Sequence, residues 1–85
     1  MKTAITQNEI ENLIEGATIR VDTVMEKCTV VTVKLESGFI LTESSTCVDP
    51  SNYDKKLGEE ICMERIRDRL WELEGYCLHK ELARR

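Results

Sequence analysis

Residues 52–82 read as a single helix, and that segment constrains the chain more than any other. Within it Leu57, Ile61, Ile66, Leu70, Leu73 and Cys77 recur at helical steps while nearly every other position is charged. A helix of that span is about 45 Å long, whereas a seven-residue strand covers only about 23 Å. A small sheet is therefore too short to cover it, and the helix either overhangs the sheet or breaks at Gly75. An overhanging apolar segment carrying Trp71, Tyr76, Leu78 and Leu82 calls for a partner surface. A homo-oligomer, dimer or higher, with those residues at its interface is the expectation.

The earlier residues supply the sheet. Thr6-Gln7-Asn8-Glu9 is a capping box, in which the Thr hydroxyl and the Glu carboxylate satisfy amide donors reciprocally. A short helix over 6–16 follows, with Ile10, Leu13, Ile14 and Ala17 on one stripe and Gly16 as a left-handed stop. From Thr18 the period changes to two, and a strand over 18–25 alternates Ile19, Val21 and Thr23 with Arg20 and Asp22. Met25-Glu26-Lys27 is a turn. The β-branched run CTVVTVKL makes a second strand over 28–35, and Glu36-Ser37-Gly38 turns the chain into a third over 38–44. The predicted fold is α+β: a short N-terminal helix, a three-stranded antiparallel meander, a loop over 45–52, and the long C-terminal helix across one sheet face.

Size and charge narrow the function classes. An 85-residue chain forms one domain whose core is marginal, because it buries only about 60–65% of its unfolded surface. The net charge of −4 argues against nucleic-acid binding. Arg65, Arg67 and Arg69, with Arg84 and Arg85 at the terminus, are interleaved with acids and read as a solvated helix face. Cys28, Cys47, Cys62 and Cys77 form no CxxC pair, so neither a zinc site nor a disulfide framework is indicated, and no metal or cofactor is expected. The N-terminus lacks a secretory h-region and no apolar run approaches the ~18–20 residues that span a bilayer, so a soluble, cytoplasmic protein is expected.

The stretch SSTCVDPSNYD supports two readings. As helix-start chemistry, Asp49 accepts from orphan amides and Pro50 takes the first helical position. As a ligand cradle, Ser44, Ser45, Thr46, Ser51, Asn52 and Tyr53 surround a helix N-terminus. Asp49 and Asp54 oppose a bare phosphate there, so a nucleotide-like molecule held by its ribose or base edge is the ligand class such a cradle would suit. Trp71 and Tyr76 serve equally as interface anchors or core, and His79 stands alone. There is no Gly-rich phosphate loop, HExxH or GxSxG, and no Cys/His dyad in register, so an enzyme is not expected.

GFILTESSTCVDPSNYDKKLGEEI followed by WELEGYCL resembles the small tailed-phage family named after gene forty-nine of phage N-four and gene sixty-six of phage Sf-six. The likeness runs from about Thr29 to Leu78 and carries no catalytic or ligand residues across. It implies a phage or prophage accessory protein of unassigned activity. The function expected on that basis is non-enzymatic, stoichiometric binding during infection, directed at a host protein or at a nucleotide-like defence signal. A minor virion or morphogenesis component is the alternative, and a nucleic-acid-binding regulator a further one.

Overall fold

A capped nine-residue helix, α1 (Gln7–Glu15), opens the structure, a computed structural model that describes residues 1–84. Thr6 Oγ1 accepts from the Glu9 amide at 3.2 Å, so the N-cap forms as the sequence predicts. The reciprocal half does not form, because the Glu9 carboxylate turns to Lys2 Nζ at 2.6 Å. Gly16 also departs from expectation. It sits at φ −83°, ψ −1°, in right-handed geometry, and its amide still donates to Asn12 O at 3.1 Å.

Three antiparallel strands follow in the order of the chain: β1 (Thr18–Val24), β2 (Cys28–Lys34) and β3 (Ile40–Thr46). The first hairpin turns through two left-handed residues, Met25 at φ 54° and Glu26 at φ 64°. In the second, Gly38 at φ 95° supplies the conformation that closes the turn, with Leu35 N–H donating to Phe39 O at 2.9 Å. β3 lies two residues beyond the predicted 38–44. Ser45 and Thr46 are therefore sheet residues and not part of the loop, paired with Thr29 and Cys28 as Ser44 is with Val30.

The Asp49-Pro50 signal starts only a 3₁₀ turn, Pro50–Asn52, in which Asp49 Oδ1 accepts from the Ser51 amide at 3.0 Å. Tyr53 then becomes extended (φ −64°, ψ 129°), which ends that turn. The long helix α2 (Lys55–Ala83) begins afresh, capped by Asp54 Oδ1 on the Leu57 amide at 3.1 Å. Its start is thus later than the predicted residue 52. Gly75 does not interrupt it, so the excess length is resolved by overhang, and the molecule extends over 54 × 21 × 19 Å.

α2 packs on β2 and β3. The core joins Ile10 of α1, Val31 and Val33 of β2, Leu41 of β3, and Cys62, Met63, Ile66 and Leu70 of α2. The seam of α2 runs through Gly58, Cys62, Ile66 and Leu70, while Leu57, Leu73 and Cys77 of the predicted stripe are exposed. Ile66 and Leu70 of the predicted stripe thus do face the sheet, and small residues, Gly58 and Cys62, take the contact at the start of the helix. α1 is joined to α2 by a two-pronged ion pair, Arg67 Nε to Glu11 Oε2 at 2.9 Å and Nη2 to Oε1 at 3.2 Å. That guanidinium, hydrogen-bonded to the carboxylate, holds the Glu11 carboxyl below its ordinary value.

Candidate functional site

Where β3 leaves the sheet and α2 begins, the chain folds around a small cleft of about 170 Å³. Ser45, Thr46, Asn52 and Tyr53 line it together with Thr29, Asp54 and Gly58. Ser44 and Ser51 are not among its walls. Ser44 is exposed and its carbonyl accepts from Arg65 Nη1 at 2.7 Å, whereas Ser51 serves the Asp49 cap. That hydrogen bond with the Ser51 amide draws the Asp49 carboxyl below its ordinary value.

The cleft is organised by Tyr53. Its hydroxyl lies 2.9 Å from Thr29 Oγ1 on β2 and 2.8 Å from Thr23 Oγ1 on β1, so one half-buried phenol ties the loop to two strands. Thr29 is fully buried, and its hydroxyl is satisfied only by this arrangement. Gly58 is required opposite, because a Cβ there would run into the Thr29 side chain. Asp54 caps α2. Thr29, Tyr53 and Asp54 thus hold the loop, and the cleft's volume lies below the roughly 300 Å³ at which small-molecule sites begin.

A larger groove lies at the opposite end of the sheet. One part, about 410 Å³, is bounded by Glu9, Asn12 and Leu13 of α1, Leu35, Glu36 and Ser37 of the second hairpin, and Glu74 of α2. It continues into a part of about 240 Å³ walled by Leu35, Phe39, Leu70, Leu73 and Cys77. The floor is apolar, with Phe39 50% and Leu73 38% exposed, and the rim carries Glu9, Glu36 and Glu74. Reading the sequence missed this groove. Phe39, a large apolar residue directly after the turn glycine, was the available signal.

The predicted interface residues are dispersed. Trp71 is half-buried and packs against the core, Leu78 is buried, and Leu82 is half-buried. Tyr76 is 62% exposed, with Lys80 Nζ 5.5 Å from its ring centroid. Lys2 donates to the Glu9 carboxylate at 2.6 Å, and that hydrogen bond raises its pKa, with the charges of Glu74 and Glu81 adding to it.

Three arginines of α2 bond to other elements of the fold. Arg65 and Arg69 donate to β3 carbonyls and Arg67 pairs with Glu11; Arg85 lies outside the described residues. All four cysteines are free thiols, and burial pushes the Cys62 thiol up. Among the described residues no group of three or more His, Cys, Asp or Glu side chains converges to hold a metal ion, and no helix is long and apolar enough to cross a membrane.

Residues 5–82 match the model of the phage protein (N4 Gp49/phage Sf6 gene 66) family. The chain belongs to that family. The match takes in α1, both hairpins, the cleft and the groove, so family membership embraces the whole architecture and not only the segment after Thr29. No curated protein and no solved structure matches the chain.

Proposed function

We propose that this member of the phage family acts as a non-enzymatic, stoichiometric binder of a host protein during infection. The observation that carries the reading is the groove between the second hairpin and α2, an open apolar floor of Leu35, Phe39 and Leu73 within a carboxylate rim. Apolar floors of this kind accept large side chains from a protein partner, and the rim adds charge selectivity. The matching ligand is a protein segment with an apolar anchor flanked by Lys or Arg. The Tyr53 cleft is small for a nucleotide, and its Tyr53 and Thr29 hydroxyls are engaged with each other, so binding of a protein is favoured over capture of a signal molecule.

Site-specific photo-cross-linking from positions 39 and 73 during infection tests this. One host protein in equimolar ratio to this chain is expected at both positions. Leu73→Asp should abolish the cross-link from position 39 while the circular dichroism spectrum stays native. Absence of any cross-linked host protein, or recovery of the chain in purified particles at fixed copy number, would replace this reading with that of a virion component.

A further inference from the structure

The two edges of the sheet are finished differently. Leu35 N–H donates to Phe39 O at 2.9 Å and Cys47 N–H to Lys27 O at 3.0 Å, so the odd-numbered residues of β2 and β3 face each other. The even-numbered residues of β2 then face β1, where their partners are Thr18, Arg20, Asp22 and Val24. Main-chain groups left pointing outward are those of Ile40, Thr42, Ser44 and Thr46 on one edge, and of Ile19, Val21 and Thr23 on the other. α2 guards the first. Arg65 Nη1 donates to Ser44 O at 2.7 Å and Arg69 Nη1 to Thr42 O at 3.2 Å, both of them outward carbonyls. Among the described residues nothing hydrogen-bonds the outward main chain of Ile19, Val21 or Thr23.

An open edge of seven residues is a template for another strand. We propose that the occupant is a second copy of this chain, paired antiparallel through β1 about a two-fold axis at Val21, so that two three-stranded sheets become one. Charge decides the partner. Arg20 and Asp22 lie on the same sheet face, with Arg20 Nε 2.9 Å from Asp22 Oδ2, and both are solvent-accessible. A two-fold axis at Val21 sets Arg20 opposite Asp22 of the second copy, and Asp22 opposite its Arg20. Basic then acidic, one step either side of the axis, is self-complementary only in this antiparallel arrangement. On the other face half-buried Val21 meets its symmetry mate and Ile19, 41% exposed, lies opposite Thr23 of the second copy, which extends the layer beneath the helices. The same register pairs every outward amide and carbonyl of Ile19, Val21 and Thr23.

One strand pair lies at the small end of specific interfaces, so the dimer is concentration-dependent. Sedimentation velocity of the full chain over a concentration series is the test, with circular dichroism as the check of folding. The wild-type chain should dimerise reversibly. Arg20→Asp and Asp22→Arg should each weaken the dimer about thirty-fold or more, because each sets like charges opposite at both symmetric positions. An equimolar mixture of the two variants should form a heterodimer, since an all-acidic strand then faces an all-basic one. Val21→Pro removes an outward amide and no bond to β2, so it should leave a folded monomer. A wild-type chain that stays monomeric throughout, a mixture that fails to associate, or a dimer that survives Val21→Pro would each overturn the proposal.

Discussion

Replacing Gly58 by alanine should destabilise this protein although alanine is the better helix former. On an open helix face the exchange is worth about 1 kcal/mol in favour of alanine. Gly58, however, is buried in the first turns of α2, and an added Cβ would lie 2.7 Å from Thr29 Cβ, with Thr29 Oγ1 closer still. Thr29 has nowhere to go: it is fully buried, its strand is paired on both sides, and its hydroxyl holds Tyr53 at 2.9 Å. Overpacking of this kind costs about 1–3 kcal/mol. Displacing the buried Thr29–Tyr53 hydrogen bond adds about 1 kcal/mol. Set against the propensity gain, the net destabilisation is about 2 kcal/mol, or about 8–16 °C in Tm for a domain of this size. Urea and thermal unfolding followed by circular dichroism measure it. The control is Gly75→Ala on the same helix, where a Cβ meets nothing within 4 Å, and which should stabilise by up to about 1 kcal/mol. In the Gly58→Ala background, Thr29→Ala should cost less than it does alone, since it removes Oγ1, the atom closest to the added Cβ. A Gly58→Ala protein as stable as the wild type would refute the steric account.

Other perturbations probe the remaining devices. Tyr53→Phe deletes the hydroxyl shared with Thr23 and Thr29 and leaves a buried threonine unsatisfied, so urea unfolding should show a loss of about 1–3 kcal/mol with no change in helix content. Exchanging Met25-Glu26 for Asn-Gly places residues suited to positive φ at 54° and 64°, and should raise stability by about 1–2 kcal/mol in the same assay. Acid should weaken the fold: the carboxyls of Glu11 and Asp49 are depressed from ordinary values of 4.5 and 3.8, so what they contribute is fully present above those values and is lost as pH falls through the depressed ones. Unfolding midpoints measured down the acid limb should drop accordingly, and Glu11→Gln should flatten that drop. A variant limb as steep as that of the wild type would remove Glu11 from the explanation.

Local chemistry in the chain determined the elements. The Thr6 cap, the shift to period two at Thr18, the β-branched run from Cys28, the Gly38 turn and the helical pattern after Asp54 each act over a few residues, which is why helix, meander and long helix were legible in order. The family likeness was legible as well, from the hairpin, the CVDP loop and the WELEGY block, and the match over 5–82 extends it. What reading the sequence misjudged depended on distant residues. Of its predicted α2 stripe Ile66 and Leu70 do enter the core, but at the start of the helix the seam runs through Gly58 and Cys62 in place of Leu57, because the Thr29 side chain leaves no room for a Cβ at position 58. It began the loop at residue 45, whereas β2 recruits Ser45 and Thr46 as well by main-chain pairing and Thr29 engages the Tyr53 hydroxyl. Arg65 and Arg69 are exposed as it read them, but their bonds to the β3 carbonyls, which close that edge, are defined only once the helix lies across the sheet. The groove and the open β1 edge were beyond it for the same reason: a surface left uncovered is a property of how elements pack, and hydrophobic period and capping chemistry describe one element at a time.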